Sequence, residues 1–469
     1  MLIKYAKNIN QLIEGISAVQ FFQITALCFG LAIVFIIPPF QVPDEPDHFE
    51  RAFHLAGGHF FGTQQNHRLG GEVPESIVRL EAIYQPIKFD YNAKQTALKF
   101  KKAKSIALNP ETNEFQDFPN TGLYPFTVYL PQTLVAIVGK ILNINPLYLL
   151  YIARLCTFSF WILLISKAIQ IMPERKWELA FLALLPSSLF INASASGDVV
   201  TNGVAFLVLA FCYRVIILEG FKISFIQMGW LTFGVCILAL NKFVYAPILL
   251  LSFLFPKTAF EHPKHRNQFA LGLLFMAIIV VIIWNLKTSE LFIPKDQYNL
   301  LFKDKVTLNE GVNPKEQFLF ILNKPGQYLK IISLSFVETS QATMAHYFGK
   351  FGWEKNYLPT WMIGLLLLTT IFLSIQKSRF ELSNKAKITF LIIAFIMSIG
   401  LATTLYMMWC PVGNERVLGL SGRYFIPVLP LVWLAFPGVI NFRYKKLLII
   451  IVTILALIIG LITAYERYY

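Results

Sequence analysis

The chain has 469 residues, 56% of them hydrophobic and only 14% charged, with a net charge of +14. A soluble domain of this length carries roughly a quarter of its residues as Asp, Glu, Lys or Arg. A soluble fold is therefore excluded, an all-α polytopic membrane protein is expected, and the positive charge is read through the loops rather than as a nucleic-acid footprint.

In chain order, an N-terminal stretch carrying Lys4 and Lys7 leads into an apolar run at 20–40 without a small-residue cleavage site. A retained first span with a cytoplasmic N-terminus is expected. The polar stretch 41–122 follows as a long first loop. Apolar runs then fall near 123–142, 147–171, 178–195, 200–218, 223–240, 243–256 and 268–286. A second polar stretch, 287–357, precedes runs near 358–375, 388–409, 423–440 and 446–464. Lys and Arg collect in 173–176, 256–268, 376–387 and 441–446, which assigns those loops to the cytoplasm. The first loop can then lie outside only if one run between it and 173–176 fails to cross. The run 123–142 is the choice, because Pro125 and Pro131 interrupt its start and Lys140 sits near its end. A re-entrant or surface helix is expected there. About eleven crossings remain, in one integral membrane domain over 1–469 with 41–122 and 287–357 as extracytoplasmic loops. The cysteines at 28, 156, 212, 236 and 410 have no ligand or disulfide spacing and read as packing residues.

On this topology the polar motifs gather at the outer face. "PDEPDH" places Asp44, Glu45 and His48 at the mouth of the first span, with Pro43 and Pro46 stiffening the backbone. Fixed carboxylates at a membrane interface suit deprotonation of a hydroxyl or the holding of a divalent cation. In "SASGDVVTNG", Asp198 stands between two apolar runs among small residues. Such a group usually faces a wet cavity or a partner, and it also suits a helix N-cap near Val200. Lys242 in "ALNKFVYAPILLL" is a cation against the positive-inside trend, placed either to snorkel or to hold a lipid phosphate. Arg423, in "ERVLGLSGRYF" behind Gly419 and Gly422, offers a planar fork suited to phosphate oxygens, with Arg416 as a weaker neighbour. His346 lies in "SQATMAHYFGKFGW", whose aromatics read first as an interface belt and second as substrate contacts.

No "GxxxxGK[ST]" or "GxGxxG" is present, so no nucleotide cofactor is expected and the energy of any reaction must arrive with the substrate. The blocks "PPFQVPDEPDHFERAFHLA", "LLPSSLFINASASGDVVTNGVAFL", "NKFVYAPILLL", "FGKFGWEKNYLPTW" and "GLSGRYFIPVLPL" occur in this order. Together they resemble the bacterial membrane family catalogued as domain of unknown function 2142, over roughly 20–440. That family is similar in layout to C-type glycosyltransferases, which use polyprenyl-phosphate sugars and carry acidic residues just after span 1. The resemblance implies juxtamembrane helices in the first loop and a bacterial inner-membrane location. It also implies Asp44 or Glu45 as the first acidic site and Asp198 as the second.

The expected function is transfer of a sugar from a polyprenyl-phosphate donor to a glycan acceptor of the cell envelope, at the outer face. Asp44, helped by Glu45, serves as base; Arg423 and Lys242 stabilise the leaving lipid phosphate. A divalent cation on Asp44, Glu45 or Asp198 is the expected cofactor. The alternatives are a flippase of lipid-linked glycans, which would place charges near the midplane, and a non-catalytic assembly subunit, for which Asp44 and Arg423 would be dispensable.

Overall fold

A computed structural model describes residues 15–353 and 356–469. The expected cytoplasmic N-terminus, with Lys4 and Lys7, lies outside the described residues. Helix α1 (Ala18–Ile36) opens with a Ser17/Gln20 capping box and stops where Pro38 and Pro39 cannot continue it. The first loop then forms α2 (Glu45–Ala56), α3 (Glu75–Phe89) and α4 (Ala97–Lys104).

The first loop also corrects the all-α expectation. Strands β1 (Thr63–Gln65), β2 (Arg68–Pro74) and β3 (Asn113–Asp117) make an antiparallel sheet in the order β1-β2-β3. Asn66 and His67 both take positive φ, 51° and 58°, between β1 and β2. That is the two-residue hairpin geometry whose twist suits paired strands. The hairpin lacks the usual Asn-Gly signal, so its pattern is weak in the sequence. The second loop docks here: the Tyr298 hydroxyl donates to Asp117 Oδ1 at 2.6 Å and accepts from Leu69 N at 3.0 Å.

The remaining helices, in order, are α5 (Leu130–Leu142), α6 (Pro146–Ile171), α7 (Lys176–Ala183), α8 (Pro186–Asn192), α9 (Asp198–Ile217), α10 (Phe225–Asn241) and α11 (His265–Thr288). They continue with α12 (Pro314–Asn323), α13 (Pro325–Gly349), α14 (Thr360–Ser374), α15 (Asn384–Trp409), α16 (Leu429–Ala435) and α17 (Lys445–Tyr468). Among the described residues six helical segments are long and apolar enough to cross a bilayer, beginning at Ala18, Pro146, Asp198, His265, Asn384 and Lys445.

Several other apolar runs are short or broken, for identifiable reasons. Pro186 splits 178–195 into α7 and α8, and Pro427 and Pro430 divide 423–440 into a 3-10 turn and α16. Pro247 falls inside Phe243–Leu254, which winds as a 3-10 helix. Each proline removes a backbone donor. The freed backbone groups must then be met inside protein rather than in lipid, and α8 is buried throughout.

Helix α5 is 13 residues long, so it spans about 20 Å at 1.5 Å per residue. Both its ends touch the end of the molecule that carries the first loop: Gln132 donates to the Ala195 carbonyl at 3.1 Å, and Lys140 to the Phe53 carbonyl at 3.3 Å. The second loop holds a helix of 25 residues, α13. It stays beside the 403–423 segment, with Tyr328 bonded to Thr403 at 2.5 Å and His346 near Ser421 at 3.4 Å.

The basic loops share one end of the molecule. Glu174 accepts from the backbone of Arg379 and Phe380, and Arg175 donates to the Ser374 and Gln376 carbonyls. Lys445 pairs with Glu178 at 2.6 Å, Tyr213 bonds Glu174, and Ile223 bonds Ala259. Helices α9 and α10 therefore carry Asp198 and Lys242 to the opposite end. Cysteines placed at the exposed positions His262 and Leu300, in a background without the native cysteines, give an expected labelling pattern. Position 300 should react with an impermeant thiol reagent in intact cells, and 262 only after permeabilisation. The reverse pattern would invert the orientation.

Candidate functional site

The site begins with one charge buried where the chain leaves α1. Arg154, inside α6 and fully buried, donates to the carbonyls of Val34, Ile37 and Pro38 at 3.0, 2.7 and 3.0 Å. These are end-of-helix carbonyls with no intrahelical partner, so the guanidinium caps α1. Its Nε and Nη2 bond the two Glu45 oxygens at 2.8 and 2.6 Å. Glu45 also accepts from Phe40 N and Ala195 N.

This corrects the expectation for Glu45. All its oxygens are engaged and its side chain is fully buried, leaving nothing for a metal or a substrate proton. Glu45 instead ties the start of α2 to α1, α6 and the "SGD" turn.

Asp44, one residue earlier, faces the other way. It takes a left-handed conformation, φ 64°, immediately before α2. Asp tolerates that region better than most residues. The turn leaves its carboxylate 40% exposed and in an ion pair with Arg423. Burial alone would raise the Asp44 carboxyl; Arg423, with help from His48, outweighs it and holds the group below the usual carboxylate range. Arg423 also donates to the Tyr424 hydroxyl at 3.1 Å and the Pro43 carbonyl at 3.4 Å. It is carried by the 3-10 turn Gly422–Phe425. A Cβ on Gly422 would collide with the α13 backbone at Thr343, His346 and Tyr347, so only glycine lets this turn sit so close.

A second ion pair lies beside the first. Lys242 Nζ meets Asp198 Oδ1 at 2.5 Å, and Lys242 lies 5.1 Å from the centre of the Tyr424 ring. His48 bonds the Tyr129 hydroxyl at 2.9 Å. Burial lowers His48 to about 4 despite Asp198 and Asp44, so it is neutral at pH 7. His346 bonds Tyr357 at 2.8 Å; burial, with Lys350 and Arg423, lowers it also to about 4. Arg416 does not join them. It pairs with Glu338 at 2.5 Å on an exposed flank, while its neighbours Val417 and Leu418 line the cavity.

Asp44, His48, Lys242, His346 and Arg423 all line one cavity of about 970 Å³. Its lining continues onto apolar residues in the C-terminal halves of α11 and α15, including Val281, Trp284, Leu401, Leu405 and Met408. Asp47, which the sequence reading passed over, also lines it. Burial, with Asp44 and Glu81, raises its carboxyl to about 7 against the pull of Lys88.

The expected divalent-cation ligand set does not assemble. Among the described residues no group of three His, Cys, Asp or Glu side chains is placed to hold a metal ion. Asp44 and Asp198 each already hold a cationic side chain, and Glu45 faces Arg154. The donor set does not fit such an ion.

No curated protein and no solved structure gives a significant match. A family model described as "Predicted membrane protein (DUF2142)" matches residues 27–432, most of the chain, and the protein belongs to that family.

Proposed function

We propose that this membrane protein transfers a sugar from a polyprenyl-phosphate donor to a glycan acceptor at the outer face of the bacterial inner membrane. The observation that carries the reading is the lining of the cavity. Apolar side chains from α11 and α15, two helices long and apolar enough to cross a bilayer, share it with Arg423 and Lys242, which suits a long hydrocarbon chain ending in a phosphate.

In the resting site each cation is matched by a carboxylate, Arg423 by Asp44 and Lys242 by Asp198. A phosphate taking the Arg423 fork removes the charge that depresses Asp44. Asp44 then becomes a stronger base at the moment the donor is in place. The acceptor oxygen bonds to the anomeric carbon as its proton passes to Asp44. The bond from that carbon to the phosphate oxygen breaks, and the lipid phosphate leaves with the electron pair. Arg423 and Lys242 meet the growing charge. A single displacement inverts the anomeric centre.

No metal is needed in this scheme. Purified protein incubated with a panel of undecaprenyl-phosphate sugars and an envelope glycan fraction should release undecaprenyl phosphate from one of them. EDTA should leave the rate unchanged. Release from none of the panel would overturn the transferase reading, and release abolished by EDTA and restored by Mg²⁺ would replace the two cationic side chains with a metal.

A further inference from the structure

Asp47 stands apart from the paired charges. It follows Asp44 by three residues, so the two carboxylates sit near one another at the start of α2. Among the described residues Asp47 makes no salt bridge. The Thr121 hydroxyl donates to its backbone carbonyl at 3.1 Å, which brings Asn120 and Thr121 to the same part of the cavity wall. Phe89 and Trp353 line the cavity too, their rings edge to face with centroids 5.8 Å apart.

We propose that Asp47, Asn120 and the Phe89–Trp353 wall form a subsite for a sugar ring. Its role as the acceptor site rests on the transferase reading above; sugar binding itself does not.

A sugar presents apolar C–H faces between hydroxyl edges. Flat aromatic rings cover the faces, while a carboxylate and an amide meet the hydroxyls with donors and acceptors of fixed direction. The platform is held before any ligand arrives. Lys88 Nζ lies 4.0 Å from the Trp353 ring centre, and the indole N–H donates to the Phe40 carbonyl at 3.3 Å. A ring fixed in this way loses little freedom on binding. Phe89, 58% exposed, is a large apolar surface left at the mouth.

Charges of both signs surround this end: the Lys88 ammonium and the carboxyls of Asp44 and Glu81 all act on Asp47. A carboxyl that titrates near neutrality both donates to and accepts from hydroxyls.

Saturation-transfer NMR on the protein in lipid nanodiscs, with a panel of methyl hexosides and pentosides, tests the subsite. Binding of undecaprenyl phosphate is measured on the same samples. At least one methyl glycoside should receive saturation. Trp353→Ala and Asp47→Asn should each weaken it by about fivefold or more, while Arg423→Lys leaves it unchanged. Phe89→Ala, at an exposed position, covers the case in which Trp353→Ala fails to fold. Lipid-phosphate binding should show the opposite pattern, weakened by Arg423→Lys alone. Transfer to no glycoside, or equal transfer in Phe89→Ala and Asp47→Asn, would overturn the subsite even if lipid phosphate binds. Sugar binding without lipid-phosphate binding would keep the subsite and overturn the transferase reading.

Discussion

Replacing Glu45 with alanine should leave little folded protein in the membrane. Arg154 is fully buried, and among the described residues its charge is balanced by Glu45 alone, through bonds of 2.8 and 2.6 Å. Removing one partner of such a pair strands the other charge away from water, which costs roughly 3–5 kcal/mol. Whole domains are stable by only about 5–15 kcal/mol. The damage also spreads, because the same guanidinium caps α1 and the same carboxylate accepts from Phe40 N and Ala195 N. Glu45→Gln keeps the shape and part of the bonding, so it should fall between wild type and alanine. Thermal unfolding in detergent, alongside the level of protein in the membrane, measures both. A Glu45→Ala protein that folds like wild type yet has lost activity would return Glu45 to the chemistry.

This pair shows where sequence reading stops. "PDEPDH" marks a charged site but not which of two adjacent carboxylates turns inward. The difference is made by the positive φ of Asp44 and the start of α2 at Glu45, a local backbone event without a composition signal. The partner that decides the matter, Arg154, lies 109 residues away. It had a signal, since an arginine inside an apolar run is itself a sign of a buried partner.

Lys242, Asp198 and Arg423 are each a charge out of place in apolar surroundings, and the fold brings them together with Asp44. The same reasoning drew in Arg416, where it failed, because a residue on an exposed flank can satisfy its charge with Glu338. Asp47 was passed over because nothing near it in sequence distinguishes it from its neighbours. What sets it apart is its surroundings, with Lys88 and Glu81 of α3 acting on its carboxyl. Hydropathy located the apolar runs but could not say which were continuous helices. The prolines at 186, 427 and 430 were visible, and the length expected of a span outweighed them.

Asp44→Asn should abolish most turnover while leaving the protein folded. Asp44 is 40% exposed and at the edge of the cavity, so the loss of its charge carries a far smaller folding cost than the loss of Glu45. Asparagine keeps the size and can still accept a hydrogen bond from Arg423, but it cannot take a proton. General-base catalysis is worth about 10²–10⁴-fold, and release of undecaprenyl phosphate should fall by that factor with the donor KM little changed. Arg423→Lys should fail differently. It keeps the positive charge but loses the two-pronged fork, and it cannot hold Asp44, Tyr424 and a phosphate in one plane. Donor KM should therefore rise along with a fall in kcat, because the cation meets the phosphate both before and during bond breaking. A merely structural Arg423 would instead lower thermal stability and leave activity per folded molecule unchanged. Full turnover in Asp44→Asn would remove Asp44 as the base, and the proton would then have to pass to Asp47, the other carboxylate in the cavity wall.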